Sequence, residues 1–152
     1  MLPMIFALTT FVTFIIMEGV TWCTHRFIMH GLLWNLHEDH HQPHDNFFEK
    51  NDIFFIIFSI PSILLFYFGV DGGLNILFFI GLGILLYGIA YFLVHDVLIH
   101  RRFKWFDKTS NPYLKGLRKG HKMHHKHLGK EHGECFGMLY VPLKYFKAHQ
   151  TV

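Results

Sequence analysis

The sequence predicts an all-α membrane protein: one domain over residues 1–152, about three transmembrane helices, and cytoplasmic helical extensions that carry histidine boxes. Three observations predict it. Three apolar runs are each long enough to cross a bilayer. Only 16% of the chain is charged and 51% is hydrophobic, against about 25% charged residues in an ordinary soluble domain. Fourteen histidines, more than the eleven acidic residues, lie outside the apolar runs, most of them in a repeated pattern.

The first run covers about 2–22. It has no basic leader segment and no small-residue cleavage site, so it reads as a retained helix and not as a removed signal. The second, "IFFIIFSIPSILLFYFGV" over 53–70, contains Pro61, which is expected to kink a span but is tolerated inside a bundle. Asn51 or Asp52 is its candidate N-cap. The third covers 74–94 after the polar break "DGG". At ~1.5 Å per residue, all three match a hydrocarbon core of ~30 Å.

All fourteen Lys and Arg lie between the first two runs or after the third, and the second loop holds only Asp71. By the positive-inside rule, 25–52 and 95–152 are expected in the cytoplasm, with the N-terminus outside. Three spans then deliver every histidine to one face. Beyond the third, "SNPYLKGLRKGHKMHHKHL" predicts a helix over about 112–128, capped by Ser110 or Asn111 with Pro112 in its first turn. Cys23 and Cys135 are too few for a cysteine metal site and read as unpaired thiols.

The boxes "HEDHH" and "HKMHH" each place histidines at i, i+3 and i+4, positions that share a helical face. His37, His40 and His41 are therefore expected at one locus, and His121, His124 and His125 at another. Neutral imidazoles in such triplets suit iron, zinc or copper. Two further pairs, His25 with His30 and His95 with His100, are spaced i, i+5. On a regular helix that spacing turns the second ring away by ~140°. Either the helix breaks inside each pair, or its two members serve different ions. Ten histidines are too many for one ion, so two are expected. Iron suits a ligand-rich cluster facing an apolar cavity better than closed structural zinc does, and copper remains open.

The segments "HRFIMHGLLWNLHEDHHQPHDNFFEKND", "YFLVHDVLIHRRF" and "YLKGLRKGHKMHHKHLGKEHGECFGMLYVP" resemble the bacterial β-carotene hydroxylases, within the fatty-acid hydroxylase and sterol desaturase superfamily. The resemblance covers nearly the whole chain. It implies a non-haem di-iron monooxygenase of the bacterial plasma membrane, using O₂ and a ferredoxin-type electron donor. Its substrate would be a carotenoid entering from the bilayer, hydroxylated at carbon 3 of the β-ionone ring, with no nucleic-acid partner. By motif position the ligands are His25, His30, His37, His40, His41, His95, His100, His121, His124 and His125. Zinc can take the place of iron in purified samples. His44 stands where the family pattern leads one to expect a basic residue, and His127, His132 and His149 fall outside the boxes and read as solvated.

Among the acids, Glu18 shares a helical face with His25 and is expected to accept an N–H from a ligand histidine, and Asp96 is expected to orient His100. Trp22, Trp34 and Tyr91 are candidates for shaping the substrate path, and Arg101, Arg102, Lys104 and Lys108 for meeting an acidic electron donor. Other readings are a fatty-acid or sterol hydroxylase or desaturase, and a metal transporter, which would carry its ligands near the bilayer midplane instead.

Overall fold

A computed structural model describes residues 1–43, 46–105 and 108–146, and among these all regular structure is helical. His44 and His149 lie outside the described residues. The helices are α1 (Leu2–Cys23), α2 (Trp34–His41), α3 (Ile53–Gly69), α4 (Ile76–Phe92) and α5 (Pro112–His124). α1 continues as a π-helical segment, Thr24–Leu32, and α4 as another, Leu93–Ile99; short 3₁₀ turns cover Lys50–Asp52 and Leu143–Tyr145. With their extensions, three helices are long and apolar enough to cross a membrane: Leu2–Leu32, Lys50–Gly69 and Ile76–Ile99.

Local chemistry sets the boundaries. α4 starts at Ile76, two residues later than expected, because Asn75 is extended and its Oδ1 accepts from the Leu77 N–H at 2.9 Å. Its Nδ2 donates to the Phe68 carbonyl at 3.1 Å, tying the α3–α4 hairpin together. Asn111 caps α5, accepting from the N–H groups of Tyr113 and Leu114, and Pro112 follows as expected. α5 stops at His124, short of residue 128, as its backbone tightens to i→i+3 bonds from Lys126 and His127. Asn51 is no cap. It is buried, and its side chain is used in the histidine cluster.

α4 is the central helix, packed on both α1 and α3, which scarcely touch each other. Small residues let the backbones close in, as they do in membrane bundles. A Cβ on Gly83 would lie 2.7 Å from the Thr10 carbonyl, and one on Gly81 would lie 3.1 Å from that of Ser62. Hydroxyls lock the same contacts: Thr10 donates to Phe79 O at 3.1 Å and Ser62 to Gly81 O at 2.9 Å. The outward faces, including Phe11, Ile15, Ile60 and Leu64, are exposed and apolar.

The C-terminal strap after α5 doubles back over it. Leu117 forms a small core with Val141 and Tyr145, and Gly120 leaves space for Val141, whose Cγ1 would sit 2.9 Å from an added Cβ. The ends of α1 and α4, the start of α3, α2 and α5 therefore gather at one end of the bundle. There the histidines meet.

Candidate metal centre

The i, i+5 pairs are explained by the backbone. An i→i+5 hydrogen bond runs from the His100 N–H to the His95 carbonyl at 2.9 Å, and another from Leu33 N–H to Ile28 O at 2.8 Å. A π-helix brings residue i+5 nearly above residue i, and such segments recur at functional sites. His25 and His30 accordingly fall in one cluster and His95 and His100 in another. At Gly31 (φ −120°, ψ −109°) the chain leaves the helix and turns into α2.

The two clusters are His25, His30, His37, His41 and His124, and His40, His95, His100 and His121; ligand atoms within each lie within 4.8 Å of one another. This corrects the expectation that each His-x-x-His-His box serves one locus. Positions i+3 and i+4 flank position i by ~60° on one side and ~40° on the other, so adjacent histidines diverge. His41 joins His37, whereas His40 crosses to His95; likewise His121 and His124 separate. His125 belongs to neither tight set but bridges them. Its Nε2 is 2.8 Å from that of His121, and its ring stacks on His41 with centroids 4.4 Å apart.

The hydrogen bonds determine which nitrogen is bare. The Nδ1–H groups of His25, His30, His41 and His124 donate to the carbonyls of Phe136, Lys130, His127 and Glu134. That of His37 donates to Asn51 Oδ1 at 2.7 Å, and that of His40 to Glu49 Oε2 at 2.6 Å. His95 Nδ1 faces Asp96 Oδ2 at 3.3 Å. These oxygens can only accept, so each ring carries its proton on Nδ1 and a lone pair on Nε2. Yet Nε2 meets Nε2 in the pairs His25–His37 (3.1 Å), His37–His41 (3.2 Å), His30–His124 (3.2 Å) and His40–His95 (3.0 Å). Two lone pairs cannot form a hydrogen bond. The spacing is that of neighbouring ligands sharing one cation, roughly 3 Å for bonds of about 2.1 Å, so the donor set fits bound metal.

Protonation agrees. Burial, reinforced by neighbouring imidazoles, lowers His124 to about 2. Burial likewise brings His37 to about 3 and His41 to about 4. It also holds His40, His100 and His121 well below the ordinary histidine value. All six are neutral at physiological pH, the form a metal requires.

The acids take different posts from those expected. Glu18 receives no ring N–H from His25, whose Nδ1 is committed to Phe136. Its carboxylate accepts instead from Tyr87 Oη at 2.7 Å and from the backbone N–H groups of Met138, Leu139 and Tyr140 at 2.9–3.0 Å. It thus fastens the strap whose carbonyls orient His25 and His124. Asp96 contacts His95, its neighbour, and not His100. Arg102 is no surface cation: it joins Glu49, Asp52 and Asp96 at 3.1, 2.7 and 3.2 Å with its side chain 15% exposed. Asn51 and Glu49 were not anticipated as histidine partners. Their place beside the "HHQP" box was the available signal.

A cavity of about 840 Å³ leads to these clusters between α1, α3 and α4. Its walls are mainly apolar, with Met17, Phe55, Ile63 and Ile89 among them, and His25 and His95 lie in its lining, one from each cluster. Tyr91 is in the lining and stacks on His95. Trp22 and Trp34 are not; Trp22 packs on Phe27 and Phe136, and Trp34 on His30 and His41. His132 is solvated, whereas His127 contributes its carbonyl to His41.

The fatty acid hydroxylase family model matches residues 10–142. The chain belongs to the fatty acid hydroxylase family. Within this family it is 44% identical over 136 residues to the β-carotene hydroxylase of Pantoea ananas, covering 90% of this chain and 77% of that one. It is 42% identical to that of Pseudescherichia vulneris, covering 89% and 76%. It is 40% identical over 121 residues to the chloroplastic β-carotene 3-hydroxylase 2 of Arabidopsis thaliana, covering 78% of this chain and 39% of the plant protein. No solved structure matches this chain.

Proposed function

We propose that the chain is a membrane-bound, non-haem di-iron monooxygenase that hydroxylates carbon 3 of carotenoid β-ionone rings, taking β-carotene through β-cryptoxanthin to zeaxanthin. One observation carries this reading: an apolar cavity opens between two spans and has in its lining a histidine from each of two facing clusters. The named activity of relatives at 37–44% identity supports the substrate.

Ten ligands are proposed: His25, His30, His37, His41 and His124 for one ion, His40, His95, His100 and His121 for the other, and His125 between them. Two iron ions with O₂ and external electrons would supply oxidation of an unactivated C–H bond, which side chains alone do not perform. The chain's own work is placement. Carbonyls, carboxylates and the Asn51 amide on Nδ1 keep the Nε2 atoms of seven of these rings aimed inward, and a ligating ring held from behind is more basic and less mobile. The phenyl and aliphatic walls exclude water and admit an apolar ring end-on from the bilayer, because α1 and α3 leave a gap beside α4. Van der Waals packing of that ring then decides which carbon faces His25 and His95.

The electron donor is a ferredoxin-type protein. With Arg102 engaged by its carboxylates, the docking cations are the exposed Lys104 and Lys108 together with Lys115, Lys119 and Lys122, which follow one face of α5 opposite His121 and His124. The membrane is the bacterial inner membrane, with the histidine clusters and C-terminus cytoplasmic and the N-terminus outside. The one-sided distribution of Lys and Arg supports this orientation. Cysteines placed at Asp71 and at Lys130 test it: only the first should react with an impermeant thiol reagent on intact cells.

Expression in a β-carotene-producing bacterium is the functional test. Zeaxanthin and β-cryptoxanthin should appear. Unchanged pigment with new hydroxylated or desaturated acyl chains would transfer the reading to a fatty-acid enzyme.

A further inference from the structure

The two histidine clusters are supported from behind by different chemistry. In the five-histidine cluster every Nδ1–H goes to a neutral oxygen: backbone carbonyls at 2.9–3.1 Å for His25, His30, His41 and His124, and the Asn51 amide for His37. In the four-histidine cluster two rings are backed by carboxylates, Glu49 on His40 at 2.6 Å and Asp96 on His95 at 3.3 Å, while the buried Nδ1 of His121 has no partner. Arg102 holds both carboxylates, and Asp52 with them, in one partly buried network.

A carboxylate draws the Nδ1 proton toward itself and leaves more electron density on Nε2 than a neutral carbonyl does, so the ring is the stronger donor. The ligands themselves are neutral, so nearby acids are the counter-charge a cation feels most strongly in this dry region. Both effects favour the higher-charged ion on the same side.

Resting on the di-iron reading above, we propose that the two metal positions are electronically unequal. The position of His40, His95, His100 and His121 keeps the ferric state longer on reduction, and Glu49 is the positioning residue that sets the difference. The five-histidine position, backed by neutral acceptors, is reduced first. Arg102 acts through Glu49 and Asp96 by fixing their carboxylates against the two rings.

The test uses full-length protein loaded with ⁵⁷Fe in detergent and reduced stepwise by a mediator at controlled potential, with Mössbauer spectra at each step. Iron content is measured beforehand. Two irons per chain preserve the functional reading whatever the spectra show, and a chain that binds no iron overturns both proposals. At half reduction the ferric component should belong predominantly to one site. Glu49→Gln should bring the two sites toward simultaneous reduction and alter the quadrupole splitting of the late-reducing site only. Asn51→Asp places a carboxylate on His37 and should delay reduction of the other site, closing the gap from the opposite side. It serves independently if Glu49→Gln fails to fold. Simultaneous reduction of both sites in the native protein, or a gap unmoved in both variants that load iron, would overturn the inference.

Discussion

Replacing Glu18 by Gln should loosen the five-histidine cluster without touching a ligand. The carboxylate takes a phenol O–H and three backbone N–H groups, from Met138, Leu139 and Tyr140. Hydrogen bonds to charged acceptors contribute about 1.5–3 kcal/mol each when buried, and half-exposed ones nearer 1. The amide keeps one acceptor oxygen and turns an N–H₂ toward the donors, so about half the set is lost, roughly 2–3 kcal/mol. The loss falls on the strap, which supplies the Phe136 and Glu134 carbonyls to His25 and His124. Gly137→Ala should act on the same latch, because its Cβ would lie 2.6 Å from Glu18 Oε1. Limited proteolysis and metal analysis of the purified protein in nanodiscs are the assays. Both variants should be cleaved faster near residues 130–140 and release one ion more readily than the other. Native cleavage and metal content in both would refute the latch.

Other consequences can be checked alongside it. His124→Ala should cost the ion of the five-histidine set and His40→Ala that of the four-histidine set, each retaining about one ion and losing hydroxylation; loss of both ions in each would mean a single inseparable centre. For the metal-free protein the pH dependence follows from burial: His37 and His41, held at about 3 and 4, lie below their unfolded value of about 6.5. Their contribution to stability is complete above pH ~6.5 and is lost as pH falls toward 3–4, by up to about 1.4 kcal/mol per unit for each ring. Denaturation curves between pH 7.5 and 5 should show the decline, and a flat profile would contradict it. Neutralising Lys119 and Lys122 to Gln should raise the apparent KM for a reduced ferredoxin, while rates with a small neutral reductant hold. Arg102→Gln should impair both electron sources, because it breaks the carboxylate network.

The spans, their number and the Asn111 cap of α5 were legible because hydropathy and capping are local signals. So was the gathering of histidines on one face, which follows from the parity of three spans. The division of ligands was not legible. It depends on π-helical backbone over residues 24–32 and 93–99, a conformation with no residue signature of its own, and on where α2 and α5 lie between α1 and α4. Glu18 shares a helical face with His25, but its partners, Tyr87 and the backbone of 138–140, are distant in sequence and beyond any helical-face argument. Arg102 illustrates the same limit: one basic residue among several in sequence, it becomes the centre of a partly buried ion-pair network only when 49–52 folds against 96–102. Gly116 and Gly120, four residues apart on α5, leave the space that Phe146 and Val141 of the strap occupy.

The central claim is that this cluster of imidazoles directs oxygen from O₂ into an apolar ring. Iron-loaded protein supplied with β-carotene, reductant and ¹⁸O₂ tests it most directly, with the products weighed by mass spectrometry. Every new hydroxyl should carry the heavy isotope, and none should do so in His40→Ala. Hydroxyls bearing oxygen from solvent, or formation of labelled product by His40→Ala at the native rate, would contradict it.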